Sequence, residues 1–225
     1  MPPDLTILVP VYNEERTLQT IMRRIAETNP EAQIIYIDDG SRDRSLALLE
    51  EHKRPTDLVL TKQNGGKGSA IRLGLEASRG TYTIIQDADL EYDPAEIRLL
   101  VAEAKAHPGS AVFGSRFLRP NPNIYRRFLL GNKTLTALMN LLFFSRLTDT
   151  YTCYKLLPTD LFRSLRLRSS GFELEAEICG KCLKTHIPIR ELPISYHPRT
   201  IAEGKKINLK DAWKGVVMMV KVRCS

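Results

Sequence analysis

YTIIQDADLEYDP, residues 82–94, decides how this chain is read. Tyr82–Ile85 is an apolar, β-branched run of the kind that fills a buried strand. It stops at Asp87, Asp89, Glu91 and Asp93, four carboxylates within seven residues. Pro94 follows, suited to the first turn of a helix running to Ala106. A strand that ends in mutually repelling acids and then turns into a helix is one unit of an α/β sheet. The acids lie at the strand's carboxyl end, the edge on which such sheets bind ligands.

The same unit recurs on both sides. Apolar runs at 5–11, 34–40, 57–61, 81–86 and 110–116 read as five strands. Helix-period segments at 14–28, 43–52, 67–78 and 94–106 alternate with them. This alternation predicts an α/β fold, a Rossmann-like, mostly parallel sheet with helices on both faces. Each strand ends in a polar cluster: Pro10 to Glu14, Asp38-Asp39-Gly40, Asn64 to Gly68, Asp87-Ala88-Asp89, and Gly114-Ser115-Arg116. A core needs none of these residues, and all should meet along one edge. After about residue 117 the alternation fails. FLRPNPNIYRRF leads into a helix over roughly 128–145. Then follow the polar DTYTCYK, short helices, one strand within IPIRELPISY, a basic loop and a last helix over Asn208–Val222. No linker or repeat separates the halves, so a single domain over 1–225 is expected.

With 225 residues and 43% hydrophobic content, the chain can bury a core. Its net charge of +7 favours an anionic partner. No recognisable nucleic-acid module accompanies that charge, so nucleic acid is not the expected partner. Cys179 and Cys182 form a CxxC, but inside the helical pattern Glu173–Lys184, where packing is the expected role. The N-terminus lacks signal-peptide character, and no apolar stretch is long enough to span a bilayer. A cytoplasmic protein, peripheral on a membrane face, is the expectation. In the last helix Trp213, Val216, Val217 and Val220 share one face, as in a helix packed on the sheet or lying in a membrane interface.

Asp87 and Asp89 flank one alanine where the strand ends, and both carboxylates can turn toward one point. A divalent cation, Mg²⁺ or Mn²⁺, would relieve their repulsion and take a diphosphate. The competing reading is a solvated acidic turn capping the next helix. Asp38 and Asp39 can accept hydrogen bonds from a base or ribose, or serve the Asp-Gly turn. Asn64-Gly65-Gly66-Lys67-Gly68 precedes a helix and can offer amides to an anion. It matches neither a Walker A loop nor GxGxxG, which argues against a P-loop ATPase and a dinucleotide dehydrogenase.

PVYNE (10–14), IDDGSRD (37–43), NGGKGSAIRLGL (64–75), QDADLEYDP (86–94), GSR (114–116) and ELPISYHPRTIAEGKKIN (191–208) together resemble the family 2 glycosyltransferases of the GT-A fold. The resemblance is nearest to the dolichol-phosphate mannose synthases and the bacterial polyprenyl-phosphate hexose transferases. It implies a nucleotide-sugar-binding half, 1–117, and an acceptor-side half, 118–225. Pro10, Tyr12, Glu14, Asp38, Asp39, Lys67 and Gly68 would surround the nucleotide. Asp87, Ala88 and Asp89 form the DxD that holds metal and diphosphate, with Glu91 where the mannose synthases often have Gln as a further ligand. The implied reaction is inverting, metal-dependent transfer of a hexose from a GDP-mannose or UDP-glucose type donor to a polyprenyl phosphate. Arg116, Arg126, Arg127, Arg199, Lys205 and Lys206 are the candidates for the acceptor phosphate. Asp89, Arg116, Asp149 and Arg199 are the candidate catalytic residues.

A sugar hydroxyl is the alternative acceptor and would need a carboxylate base. Asp149, Glu175 and Glu177 are the candidates, the two glutamates otherwise forming a solvated or capping helix face. The QxxRW of sugar-polymerising relatives is missing. A non-catalytic nucleotide binder is the third reading, and the intact DxD counts against it.

Overall fold

The computed structural model describes residues 3–121, 126–199 and 209–225, and for residues 126–128 and 209 the backbone alone. Lys205 and Lys206, and the side chains of Arg126 and Arg127, lie outside the described residues.

Seven strands form one sheet in the order β3-β2-β1-β4-β6-β5-β7. β1 (Leu5–Val11), β2 (Gln33–Asp38), β3 (Leu58–Thr61) and β4 (Tyr82–Ile85) are parallel to one another. β5 (Ala111–Ser115) and β7 (Ile189–Pro193) are parallel to each other. β6 (Lys155–Pro158) runs antiparallel between β4 and β5. β2 and β4 are buried throughout and β1 almost so, which is why these strands read as unbroken apolar runs. The five expected strands and the late strand all form, each within a few residues of its expected bounds.

α1 (Leu18–Thr28) buries Leu18, Ile21, Met22 and Ile25, the i, i+3, i+4, i+7 set that its sequence displays. α2 (Ser45–His52), α3 (Lys67–Ala77) and α4 (Ile97–Ala106) complete the first half. A short 3₁₀ turn at Pro94–Glu96 precedes α4, capped by Asp93, whose side chain accepts from the Ala95 amide. α5 (Arg126–Phe143), α6 (Thr159–Ser164), α7 (Leu174–Lys184) and α8 (Leu209–Cys224) belong to the second half. Cys179 and Cys182 are buried free thiols on α7, as packing requires. Among the described residues, no helix is long and apolar enough to cross a membrane.

The structure differs from the sequence reading in two places. β6 was not expected, because four residues beside a polar segment show no period of their own. Its antiparallel course brings residues 151–155 to the same edge as the carboxyl ends of β1, β2 and β4. α8, in turn, rests on α7 and α5 rather than on the sheet. It buries Gly215, Met219 and Val222, not the face of Trp213 and Val220, which are 68% and 45% exposed. Gly215 decides this. A Cβ there would lie 1.8 Å from the Tyr151 hydroxyl oxygen, so only glycine lets the helix seat over that ring.

Candidate active site

The strand ends converge as expected, around a cleft of about 420 Å³. Pro10, Tyr12 and Glu14 after β1, Asp39 after β2, Lys67 opening α3, and Asp87, Ala88, Asp89 and Glu91 after β4 all line it. Arg116 after β5 and Arg199 after β7 complete the edge. Among the described residues, the cleft is also lined by Phe117, by Asn132 and Leu135 of α5, and by Asp211 and Ala212 of α8.

The two acids of the DxD are each charge-paired. Lys67 Nζ lies 2.7 Å from Asp87 Oδ1 and 3.1 Å from Glu175 Oε1. Arg199 Nη2 lies 2.9 Å from Asp89 Oδ2, and its Nη1 lies 3.0 Å from Glu14 Oε2. Burial alone would drag Lys67 down, but the neighbouring Asp87 and Glu175 carboxylates outweigh it and hold its ammonium well above the ordinary lysine range. Burial, then repulsion from Asp87 and Glu91, push Asp89 up to about 7, with Arg199 opposing. Two carboxylates face one cleft, and even with Arg199 beside it Asp89 stays reluctant to ionise, so a further cation between them would be favoured. Hard oxygen ligands in that state fit Mg²⁺ or Mn²⁺.

The raised Asp89 sets a pH dependence. Its folded pKa lies above the unfolded carboxylate value, so its contribution to stability is fully present below about pH 4 and is lost as pH rises through about 7. In metal-free protein, Asp89→Asn should remove this component. Urea midpoints of the variant and the parent, compared at acidic and neutral pH, should diverge in the variant's favour as pH rises.

Several expected site residues serve the scaffold instead. Asp38 is buried, and its Oδ2 accepts from the Gly40 and Ser41 amides, so it shapes the turn. Asp39 lines the cleft, but its carboxylate accepts from Lys62 Nζ and from the Gly65 and Gly66 amides, so it fixes the glycine loop. The Gly68 amide does not reach the cleft. It donates to the Ser170 carbonyl oxygen at 2.7 Å. A Cβ on Gly68 would lie 2.3 Å from the Ser169 carbonyl oxygen. The glycine there admits the 169–171 loop rather than a phosphate. Gly68→Ala should therefore cost about 1–3 kcal/mol, the usual penalty of overpacking, read as a lowered thermal midpoint.

Asp149 is fully buried and takes the Arg116 Nε at 2.7 Å and Nη2 at 2.8 Å. It also accepts from the Arg116 and Tyr151 amides. Held so, it is the counter-ion of Arg116 and not a base for an acceptor. Arg116 itself stacks over Tyr196 and Phe117 and is held rigid at the cleft wall. Glu175 lines the cleft, yet it is the shared counter-ion of Lys67 and Lys155. Glu177 is buried and accepts from the Arg168 and Ser169 amides, which ties down the loop that Gly68 admits. Neither glutamate forms a solvated face. Glu91 accepts from the Tyr196 hydroxyl at 2.8 Å and from the Arg199 amide at 2.7 Å. It anchors the 196–199 segment against the acidic turn. Among the described residues no third His, Cys, Asp or Glu joins the acid pair in an assembled metal cluster, so the three-carboxylate set with Glu91 is not formed.

Tyr92, Tyr151, Cys153, Phe172 and Tyr196 also line the cleft and were missed. Tyr151 and Cys153 arrive with the unexpected β6. Burial pushes the Cys153 thiol well up, so it fills space beside Asp87 rather than reacting. The polar DTYTCYK segment hinted at Tyr151 and Cys153, and Tyr92 and Tyr196 lie within the motifs QDADLEYDP and ELPISYHPRTIAEGKKIN, whereas Phe172 carried no signal.

The family model described as Glycosyl transferase family 2 matches residues 6–166. Among curated proteins, the chain is 25% identical over 226 residues to a low-salt glycan biosynthesis hexosyltransferase of Haloferax volcanii, covering 97% of this chain and 53% of that protein. It is 39% identical over 109 residues to an undecaprenyl-phosphate 4-deoxy-4-formamido-L-arabinose transferase of Pseudomonas fluorescens, covering 45% of this chain and 32% of that protein. The chain thus spans about half the length of the first relative and about a third of the second. Among solved structures, glucosyl-3-phosphoglycerate synthase from Mycobacterium tuberculosis, in complex with Mn²⁺, uridine diphosphate and glucosyl-3-phosphoglycerate, superposes with a TM-score of 0.72 at 17% identity. That likeness covers 99% of this chain and 80% of the other, and it establishes the GT-A fold.

Proposed function

The chain belongs to glycosyl transferase family 2, and we propose that it moves a hexose from a nucleoside-diphosphate donor to a polyprenyl phosphate. The observation that carries this reading is the acid pair Asp87 and Asp89, lining the same cleft as Arg116, Phe117, Leu135 and Ala212. The acids suit a metal–diphosphate, and a guanidinium among apolar side chains suits an anion on an apolar tail. The Pseudomonas relative, an undecaprenyl-phosphate sugar transferase by name, supports the acceptor class. The Mn²⁺ and uridine diphosphate of the mycobacterial complex support the donor and metal class.

In the proposed reaction the acceptor phosphate oxygen forms a bond to the anomeric carbon as the bond from that carbon to the diphosphate oxygen breaks. The electron pair leaves with the diphosphate, and the configuration inverts. Pro10 and Tyr12 bound the space for the base, while Asp87 and Asp89 would hold a divalent cation. That cation would supply positive charge to the leaving diphosphate. Arg199 would give up Asp89 as the site loads, which turns its Nη2 to a phosphate while Nη1 stays on Glu14. Arg116 offers a fixed positive wall. A phosphate acceptor is already ionised near neutral pH and needs no strong base. This agrees with Asp149 and Glu175 both being tied to basic side chains.

Arg199→Ala tests the exchange. Removing the competing cation should raise the affinity of donor-free protein for Mn²⁺ about tenfold, the worth of one charge-assisted hydrogen bond, while transfer falls. Titration calorimetry and a transfer assay read the two effects. The function itself is tested by incubating the protein and Mn²⁺ with labelled nucleotide sugars and a short polyprenyl phosphate. Label should enter the organic phase. Label reaching only water-soluble sugars would replace the lipid acceptor with a carbohydrate hydroxyl.

A further inference from the structure

Glu91 follows closely on Asp89 and lines the same cleft, yet both its oxygens are engaged away from the acid pair. Its Oε2 accepts from the Tyr196 hydroxyl at 2.8 Å and its Oε1 from the Arg199 amide at 2.7 Å. Its carbonyl oxygen accepts from the His197 amide at 2.9 Å. Leu90, between the two acids, has a left-handed backbone with φ 63°. That conformation costs a branched side chain energy and persists only where the surroundings fix it. Here the hydrogen bonds on Glu91, with the one from its amide to Asp89 Oδ1, fix the turn.

Tyr196 is built in as the donor. It is buried, and the Arg116 guanidinium lies over its ring, 5.0 Å from the ring centre. The Tyr92 ring stands 5.4 Å away on another side, and the Tyr196 amide donates to Asn121 Oδ1. A ring held in this way keeps its hydroxyl aimed at Glu91 Oε2.

A phenol and an amide are neutral donors. They orient the Glu91 carboxylate without cancelling its charge, and that charge is felt at Asp89. Glu91 therefore draws a cation to the turn without lending it an oxygen. A hard divalent cation takes about six oxygens. Two carboxylates leave positions that a diphosphate can fill. A third carboxylate would take one of those positions and repel the diphosphate.

We propose that the Tyr196 hydroxyl keeps Glu91 out of the cation's coordination shell, so that the acid pair holds a divalent cation weakly alone and tightly together with a nucleoside diphosphate. Tyr196 is thus a positioning residue that acts through Glu91. This rests on the metal–diphosphate reading of the acid pair.

Tyr196→Phe keeps the ring and removes the hydroxyl. Titration calorimetry of donor-free protein with Mn²⁺ should give an affinity about tenfold higher in this variant, since affinity follows the number of charged oxygen ligands. Uridine or guanosine diphosphate should strengthen Mn²⁺ binding in the parent and do so much less in the variant. Circular dichroism checks the fold, and damage to the scaffold alone would lower Mn²⁺ affinity rather than raise it. The double variant Tyr196→Phe with Glu91→Gln removes the third charge and should return Mn²⁺ affinity to the parent's level or below. Unchanged or lowered affinity in folded Tyr196→Phe would overturn the inference. So would a gain that survives in the double variant, since a loosened 196–199 segment would then be its source. A parent that binds Mn²⁺ as tightly without diphosphate as with it would overturn it whatever the variants do. A parent that binds no Mn²⁺ with either diphosphate would end the metal reading itself, and this inference with it.

Discussion

Asp89→Ala is expected to lower sugar transfer by about 10³-fold or more at saturating Mn²⁺, the scale of several kcal/mol of lost charge stabilisation. Asp89 lines the cleft next to Asp87, and among the described residues its one basic partner is Arg199, which loading would displace. Its Oδ1 also accepts from the Glu91 amide at 3.1 Å, which helps to hold the acidic turn. Alanine removes both the charge and this contact, whereas Asp89→Asn keeps an acceptor oxygen for the turn. The asparagine variant should keep its fold and still lose transfer. Single-turnover assays beside circular dichroism separate the two effects. Full activity in the asparagine variant would remove the acid pair from the reaction.

Arg116→Met should destabilise the protein by about 3–5 kcal/mol, because it strands Asp149 with no cation in a fully buried place. The pair is bidentate and fully desolvated, unlike Arg23–Glu27, whose side chains are 67% and 59% exposed. Breaking that surface pair should change stability little. Replacing both buried partners, as Arg116→Met with Asp149→Asn, should recover part of the lost stability, since the asparagine oxygen still accepts from the Arg116 and Tyr151 amides and no unpaired charge is left. It should not recover transfer, since Arg116 also faces the cleft. Thermal midpoints and transfer rates of the single and double variants therefore move apart. If the double variant regained transfer, Arg116 would be a scaffold residue alone.

Most of the donor half was legible because its information is local. A strand buried on both faces must be apolar along its length, as in Ile34–Ile37, and a helix lying on it must repeat every three to four residues, as in Leu18 to Ile25. Acids at the end of such a strand point to the ligand edge without knowledge of any partner. So the sequence by itself determined the α/β sheet, the convergence of Pro10, Tyr12, Lys67, Asp87 and Asp89, and the class of chemistry they fit.

Only the tertiary structure decided what each polar group does there, because hydrogen-bond and ion-pair partners come from distant parts of the chain. Asp149 reads as a candidate base until Arg116, 33 residues away, closes on it. Gly68 reads as a phosphate loop until the Ser169–Ser170 carbonyls occupy the space beside it. Arg199 meets Asp89 across 110 residues. β6 and the inward face of α8 were hidden for the same reason. β6 is four residues that follow a polar segment where the strand–helix alternation has already failed, and which side of α8 is buried depends on the Tyr151 ring beneath Gly215. Patterns along the chain report burial, whereas pairing in a desolvated cleft is settled by which charges the fold brings within reach of one another.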